Sequence, residues 1–305
     1  MNKKLRIATR KSALALWQTN HVQSLLREAH DGIEIELVKI VTEGDRILDR
    51  PLSEIGGKGL FLKELERAML DGEADLAVHS MKDVPANMAE GLVLEAVLPR
   101  ANPYDALVSR DGRLLADLPA GSNIGTSSLR RKSQLLALRP DLKVTDLRGN
   151  VDTRLRKLDE GQYDAIILAC AGLQRLGLGE RITEALQPPE WLPASTQGII
   201  GLQCREGDDA TLSMIAPLAD EDTMVVARAE RAVAQVLEAT CQVPLAAHAV
   251  LNNGVVHLKS SVSTPDGTQS ICAGGKASAA DAVSLGQQVA ADLLAKGAGK
   301  IIASL

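Results

Sequence analysis

Basic and hydroxyl side chains collect where predicted strands give way to predicted helices in the middle of the chain. The segment 125–132 places Arg130 and Arg131 just behind hydroxyl residues at a predicted helix start, and Arg148 and Arg154 flank the next such turn. Backbone N–H groups at a helix start attract anions, and guanidinium groups bind carboxylates through two hydrogen bonds. The pattern predicts a site for a carboxylate-bearing ligand. Helix capping alone would explain the hydroxyls but not the paired arginines.

A similar grouping follows two strands that are predicted near the N-terminus. Arg10 and Ser12 come after the first strand, and Lys82 and Asp83 come after the strand that ends at His79. A carboxylate among cations stays ionised and can stabilise a positive charge that develops during a reaction. Asp83 is therefore a candidate catalytic residue, and the alternative is an ordinary surface ion pair with Lys82. Because ligands of open α/β sheets bind at the carboxyl ends of strands, both groups are expected to face one cleft.

The four cysteines differ in their surroundings. Cys170 and Cys204 lie in apolar, strand-like runs, where a free cysteine behaves as a small hydrophobic residue and is expected to be inert. Cys241 instead follows a predicted helix end and begins the segment CQVP, which predicts an accessible loop. Cys272 is the fourth, and no pair has the spacing of a zinc or redox motif, so we expect neither a metal site nor a disulfide.

These side chains must be positioned by an alternation of short apolar runs and helical patterns, which spans residues 5–78 and again 123–168. The alternation predicts two α/β domains with largely parallel sheets, and the run 199–202 is placed to return to the first sheet. After residue 222 a long helical pattern leads to Asn-Gly and Asp-Gly turns and a final helix at 279–296, which predicts a small α+β domain. The expected domains are 1–99 with 199–218, 104–195, and 221–305.

Composition narrows the possible functions. Aromatic residues make up only 2% of the 305 residues, which argues against the stacking platforms of nucleic-acid-binding modules. The chain begins with a basic segment but has no continuous apolar run after it, and it lacks the roughly 18 consecutive apolar residues of a membrane-spanning helix. We therefore expect a cytoplasmic protein with no nucleic-acid or membrane partner.

Six segments, in order along the chain, resemble the porphobilinogen deaminase family. They are TEGD (42–45), GGKGLF (56–61), AVHSMKDVP (77–85), GTSSLRR (125–131), LRGN (147–150) and CQVP (241–244). The resemblance runs from Arg6 to about Pro244, and beyond that point the chain matches in pattern more than in motif. It implies two type II periplasmic-binding-protein-like α/β domains followed by an α+β domain with a small antiparallel sheet, which agrees with the fold class read from the residues.

The resemblance also implies a chemistry. The family joins four porphobilinogen molecules head to tail, with loss of ammonia through a cationic azafulvene, onto a dipyrromethane cofactor, and water then releases hydroxymethylbilane. The cofactor would be attached through a thioether to Cys241, and Asp83 and Lys82 would be catalytic. Further cofactor contacts would come from Thr126, Ser128, Arg130, Arg131 and Arg148, besides Lys82 and Asp83. Porphobilinogen itself would be bound by Arg10, Ser12, Gln18, Arg148, Arg154 and Arg175, and the chain would act as a monomer.

The chain departs from the family pattern where glycines are common, at Thr196 and in the segment 238–240 before Cys241. If those glycines serve to give a positive φ, the loops are expected to change shape. A rival interpretation is a non-catalytic protein whose two domains capture a small polycarboxylate. The rival predicts no covalent adduct on any cysteine.

Overall fold

The computed structural model describes residues 4–42, 44, 62–240 and 242–305. These residues fall into two compact units, the first comprising 4–44, 62–101 and 198–224 within that range, and the second 102–197 and 225–305. None of the described helices is both long and apolar enough to cross a membrane. The finer division into three domains stays a prediction.

The elements alternate between strands and helices over much of the chain. The strands are β1 (Lys4–Arg10), β2 (Glu34–Ile40), β3 (Leu76–Ser80), β4 (Leu92–Val97), β5 (Asp105–Ser109), β6 (Asn123–Gly125), β7 (Lys143–Thr145), β8 (Ala165–Ala169), β9 (Glu184–Leu186), β10 (Ile200–Arg205), β11 (Leu245–Asn252), β12 (Val255–Ser263) and β13 (Ser270–Ser278). The helices are α1 (Ala13–Ala29), α2 (Lys63–Leu70), α3 (Leu129–Leu138), α4 (Val151–Asp159), α5 (Cys170–Arg175), α6 (Asp209–Ile215), α7 (Glu221–Val236), α8 (Ala282–Ala295) and α9 (Ala298–Ala303).

The first unit is built on a five-stranded sheet of order β2-β1-β3-β10-β4. Leu5 and Ile7 of β1 pack on the α1 side, while Ala8 packs on the α2 side with Leu65 and Met69. The sheet thus buries both faces, as its apolar strands require. The predicted return of residues 199–202 to this sheet is confirmed, because they enter β10 between β3 and β4.

The second unit contains a sheet with the matching order β7-β6-β8-β5-β9. In both sheets the first three strands pair in parallel, whereas β10 and β5 run antiparallel to both of their neighbours. The prediction of largely parallel sheets is therefore wrong for two strands. Parallel pairing needs a crossover, usually a helix, and neither β5 nor β10 follows its sheet neighbour through one.

The same unit carries a three-stranded antiparallel sheet, β11-β12-β13, which packs with α7 and α8 around Val233, Val256, Leu258 and Leu293. Its first turn has φ values of 50° at Asn253 and 76° at Gly254, as the Asn-Gly sequence predicts. The second connection is longer, from 264 to 269, and only Gly267 has a positive φ there. Two α/β sheets and a small antiparallel sheet confirm the predicted fold class.

Gly286 lets α8 approach α7 closely, and this contact gives a test of the packing. A Cβ at Gly286 would lie 2.3 Å from the backbone oxygen of Ala229 and 2.6 Å from the Cβ of Ala232. We expect Gly286→Ala to lower the free energy of unfolding in urea by about 1–3 kcal/mol, the usual cost of overpacking. Gly299→Ala is the control, since its Cβ would meet only Leu294 at 3.6 Å. There, alanine should stabilise α9 by up to about 1 kcal/mol. Equal effects of the two changes would contradict the packing described.

Candidate active site

The carboxyl ends of β1 and β3 bring together one group of predicted site residues. Ser12 caps α1 by accepting a hydrogen bond from the backbone N–H of Ala15 at 3.3 Å, so the helix starts three residues after Arg10 ends β1. Gln18, buried on α1, donates to the hydroxyl of Ser80 at the end of β3 at 2.8 Å. These contacts fix the first two turns of α1 against the end of the neighbouring strand.

Lys82 and Asp83 lie in a single 3₁₀ turn, Met81–Asp83, directly after β3. Met81 is buried and its N–H donates to the backbone oxygen of Ile199 at 3.0 Å, while the side chains of Lys82 and Asp83 are exposed. The buried Met81 therefore anchors the turn, and Lys82 and Asp83 expose their charged side chains from it.

His79, which precedes this turn, is buried and uncharged. Burial lowers the pKa of its imidazole to about 4, although a hydrogen bond with Gln203 and the charge of Asp83 act in the opposite direction. The charge of Arg10 lowers the pKa further. The charges of Asp83 and Arg10 therefore both act on the imidazole of His79, which indicates that these residues lie at the same edge of the sheet.

In the second unit, residues 126–128 connect β6 to α3. Ser128 caps α3 by accepting from the N–H of Arg131 at 3.4 Å, and the hydroxyl of Thr126 accepts from the N–H of Ser128 at 3.2 Å. The predicted hydroxyl cap is thus present. Thr126 is buried, whereas Ser128 is partly exposed at the start of the helix.

Arg130 and Arg131 are not surface cations, because both converge on the fully buried carboxylate of Asp105 at the start of β5. Arg130 donates to one oxygen at 2.7 Å, and Arg131 donates to the other from Nε at 3.0 Å and from Nη2 at 2.7 Å. Trp191 Nε1 donates to the same carboxylate at 2.7 Å and Gln197 Nε2 at 3.0 Å. Two guanidinium groups thus share one carboxylate, which leaves a net positive charge behind the start of α3.

Sequence reasoning missed Asp105. Burial alone would raise the pKa of its carboxyl group, but the charges of Arg130 and Arg131 outweigh that effect and hold it well below its usual range. The sequence did contain a signal for this cluster, because Asp105 is the one charged residue of the strand Asp105–Ser109. A charge that is buried in a strand needs a partner of opposite charge. Its partners lie 25 and 26 residues away, and spacing could not identify them.

Arg148 and Arg154 lie around the start of α4. The Nε of Arg154 donates to the backbone oxygen of Gly149 at 2.7 Å, and Lys157 donates to that of Arg148 at 3.2 Å, so the turn is held through its backbone. Arg148 Nη1 is buried and has no hydrogen-bond partner among the described residues. A buried guanidinium N–H without a partner is costly, and a carboxylate oxygen would satisfy it.

The remaining predicted residues can be placed only in part. Arg175 ends α5, and burial lowers the pKa of its guanidinium to about 10, which leaves it charged at neutral pH. Cys241 and the segment 56–61 lie outside the described residues. The expectation of a strand is wrong for Cys170, which begins α5, and is confirmed for Cys204, which lies within β10. Burial raises the pKa of each thiol to about 11, which agrees with the prediction that both are inert.

The positions that depart from glycine keep a glycine-like backbone. Thr196 has a φ of 58° and Glu238 a φ of 48°, both in the left-handed region that side chains disfavour. The N–H of Thr196 donates to the buried carboxylate of Glu230. Glu238 lies two residues after the end of α7, where the N–H of Ala239 donates to the backbone oxygen of Ala234 at 2.9 Å. Hydrogen bonds therefore support the positive φ at Thr196 and Glu238, and the change of loop shape expected from the loss of glycine is not seen at these two positions.

Comparison with known proteins decides the family. The profile described as "Porphobilinogen deaminase, dipyromethane cofactor binding domain" matches residues 5–213, and that of the "Porphobilinogen deaminase, C-terminal domain" matches 224–295. The chain belongs to the porphobilinogen deaminase family. A porphobilinogen deaminase of Syntrophotalea carbinolica is 54% identical over 301 residues, covering 99% of this chain and 96% of that protein.

Several solved structures show some likeness to part of the chain. The VFT2 domain of BvgS from Bordetella pertussis is 19% identical with a TM-score of 0.42, covering 69% of this chain and 84% of that one. The methionine binding protein MetQ is 13% identical with a TM-score of 0.45, covering 70% of this chain and 89% of that one.

The Asp105 cluster makes a prediction about stability. Asp105→Asn would leave two buried guanidinium groups without their counter-charge, and we expect it to lower the free energy of unfolding in urea by about 3–5 kcal/mol at pH 7. Because the pKa of Asp105 is lower in the folded chain than its unfolded value of about 3.9, its stabilisation is present above that pH and is lost as the pH falls further.

The advantage of the wild type over the variant should accordingly begin to fall below about pH 4 and continue to fall as the pH decreases toward the lowered pKa of Asp105. Asp159→Asn is the control, because Asp159 pairs with Arg181 at the surface and should contribute less than about 1 kcal/mol. A similar loss in both variants would contradict a special role for Asp105.

Proposed function

We propose that this chain is a hydroxymethylbilane synthase. It would condense four porphobilinogen molecules head to tail, with loss of ammonia, onto an enzyme-bound dipyrromethane, and release hydroxymethylbilane by hydrolysis. The observation that carries the proposal is the family match over residues 5–213 and 224–295, together with 54% identity to a porphobilinogen deaminase across 99% of the chain. The activity classes it as a transferase of tetrapyrrole biosynthesis.

The side chains in the second unit suit a ligand rich in carboxylates. Arg148 offers a buried N–H that lacks a partner, and the Arg130–Arg131–Asp105 cluster keeps an uncompensated positive charge behind the cap of α3. We propose that these residues, with Thr126 and Ser128, hold the carboxylates of a dipyrromethane that Cys241 binds through a thioether. When bound, this group supplies the free pyrrole carbon to which each new substrate unit is joined.

Asp83 and Lys82 would act on the incoming substrate. Loss of ammonia from porphobilinogen leaves a cation, and the exposed carboxylate of Asp83 would stabilise it and accept hydrogen bonds from pyrrole N–H groups. Lys82, next to it in the same turn, would assist proton transfer and bind a substrate carboxylate. Arg10, Ser12 and Gln18 would bind the substrate from the start of α1.

Arg148, Arg154 and Arg175 would bind the carboxylates that accumulate as the chain grows. Each added unit brings an acetate and a propionate group, and charge-assisted hydrogen bonds contribute about 1.5–3 kcal/mol each. Burial lowers the pKa of Arg175 to about 10 but leaves the guanidinium charged at neutral pH, so a substrate carboxylate would meet a poorly solvated cation. We further propose a cytoplasmic monomer with three domains, 1–99 with 199–218, 104–195, and 221–305.

Cys241 provides the most discriminating test, because the rival binding protein carries no adduct. We expect the intact mass of the purified wild type to exceed its sequence mass by one dipyrromethane, and Ehrlich's reagent to colour the protein. Cys241→Ser should lose both the adduct and activity, since only a thiolate is a strong enough nucleophile. Cys170→Ser and Cys204→Ser are the controls and should keep both, because these thiols are buried. A folded wild type that stays unmodified after incubation with porphobilinogen would refute the assignment.

Arg148 gives a second test. We expect Arg148→Leu to stall chain growth, so that native electrophoresis shows trapped partial-chain complexes and turnover falls by at least about tenfold. Arg156→Leu is the matched control, since Arg156 is exposed on α4 and pairs only locally with Glu160. Wild-type turnover and an unchanged pattern of intermediates in Arg148→Leu would show that its buried N–H serves another purpose.

A further inference from the structure

His79 is a titratable residue that the proposed mechanism leaves unused. It occupies β3 four residues before Asp83, and only 6% of its surface is exposed. Successive strand residues point to opposite faces, so His79 shares the α2 side of the sheet with Ala77, while Ser80 faces α1 through Gln18. A polar ring in this position needs hydrogen bonds of its own.

A chain of side-chain hydrogen bonds supplies them. His79 Nε2 lies 2.8 Å from Oε1 of Gln203, which is fully buried on β10, and Nε2 of Gln203 donates to Oε1 of Glu66 on α2 at 3.1 Å. Glu66 is a carboxylate and can only accept, so the amide nitrogen of Gln203 must face it. The amide oxygen therefore faces His79, and the imidazole must donate from Nε2, which leaves Nδ1 without a proton.

The surrounding charges make the state of this ring matter. Among the described residues, the charges of Arg10 at the end of β1 and of Asp83 in the turn after β3 act on the ring, and Glu66 on α2 is separated from it by Gln203 of β10. The same helix carries Glu64, one of whose carboxylate oxygens is buried. A protonated His79 would be a buried cation four residues before the exposed carboxylate of Asp83. It would then compete with the substrate cation for the negative charge of Asp83.

We propose that His79 is a positioning residue whose Nε2–H tautomer is fixed by the hydrogen bonds through Gln203 to Glu66 and whose burial keeps it uncharged, so that Asp83 keeps its full negative charge for the substrate cation. The inference rests on the proposed role of Asp83. The amide of Gln203 is the essential link, since it accepts the imidazole proton without carrying a charge. A carboxylate in its place would pair with the ring and favour the imidazolium form.

Exchanging the amide and the carboxylate tests this arrangement. In the double variant Glu66→Gln/Gln203→Glu, the new carboxylate at 203 can accept from both His79 and the amide at 66, so hydrogen bonds and net charge are preserved while the charge moves next to the ring. The single variant Glu66→Gln is the matched control, because it removes the carboxylate but keeps a neutral amide against His79. Histidine nitrogen NMR across pH reports the tautomer and protonation, with the His79 signal assigned by its loss in His79→Gln.

In the wild type, we expect His79 to stay in the Nε2–H form. In both the wild type and Glu66→Gln, it should gain no proton above about pH 5, in agreement with its lowered pKa. In the double variant it should titrate near or above the ordinary value of about 6.5. Turnover of that variant should fall by at least about tenfold below the new pKa, as expected for weakening one electrostatic stabiliser. Turnover of the control should follow the wild-type pH profile.

Two results would overturn the inference. One is a wild-type His79 that is protonated at pH 7 or carries its proton on Nδ1, and this measurement needs no variant to fold. The other is a folded double variant whose His79 is protonated while turnover is unchanged. Asp83→Asn and product assays separate this from the proposed function: a wild type that forms no hydroxymethylbilane, or an Asp83→Asn variant as active as the wild type, refutes the assigned chemistry whatever His79 does.

Discussion

The second unit is organised around one buried carboxylate. Asp105 begins β5 shortly after the chain enters this unit, and Gln197, which donates to it, is the last residue before the chain leaves. The carboxylate also binds Trp191 and the two arginines of α3, so it joins a strand, a helix and a connecting segment through charge. Because charges are costly to bury unless they are paired, these elements must fold together or not at all.

The same carboxylate fixes the positions of Arg130 and Arg131, because both guanidinium groups donate to it. If these residues bind an anion as proposed, little side-chain entropy remains to be lost on binding. The first unit shows a different arrangement, in which burial lowers the pKa of the His79 imidazole while the carboxylate of Asp83 is exposed.

Local features of the fold could be predicted from the sequence, and long-range pairing could not. The hydroxyl cap at the start of α3, which Ser128 supplies, could be predicted because a cap depends on residues within one turn. The partner of Arg130 and Arg131 could not, since Asp105 meets them only after β5 has joined its sheet. The antiparallel direction of β5 and β10 was missed for the same reason. Thr196 shows the converse, because a buried carboxylate on α7 supports a backbone conformation that sequence rules reserve for glycine.

Because aromatic residues are scarce, each of the two units contains a single tryptophan that can serve as a fluorescence probe. The chain has two tryptophans, Trp17 on α1 and Trp191 beside Asp105. Trp191 is only 1% exposed and donates its indole N–H to a carboxylate, whereas Trp17 is partly exposed and stacks on His21 with ring centroids 5.2 Å apart. Their emission should differ in wavelength and in quenching by solutes, so the opening of the two units can be followed separately in the unlabelled protein.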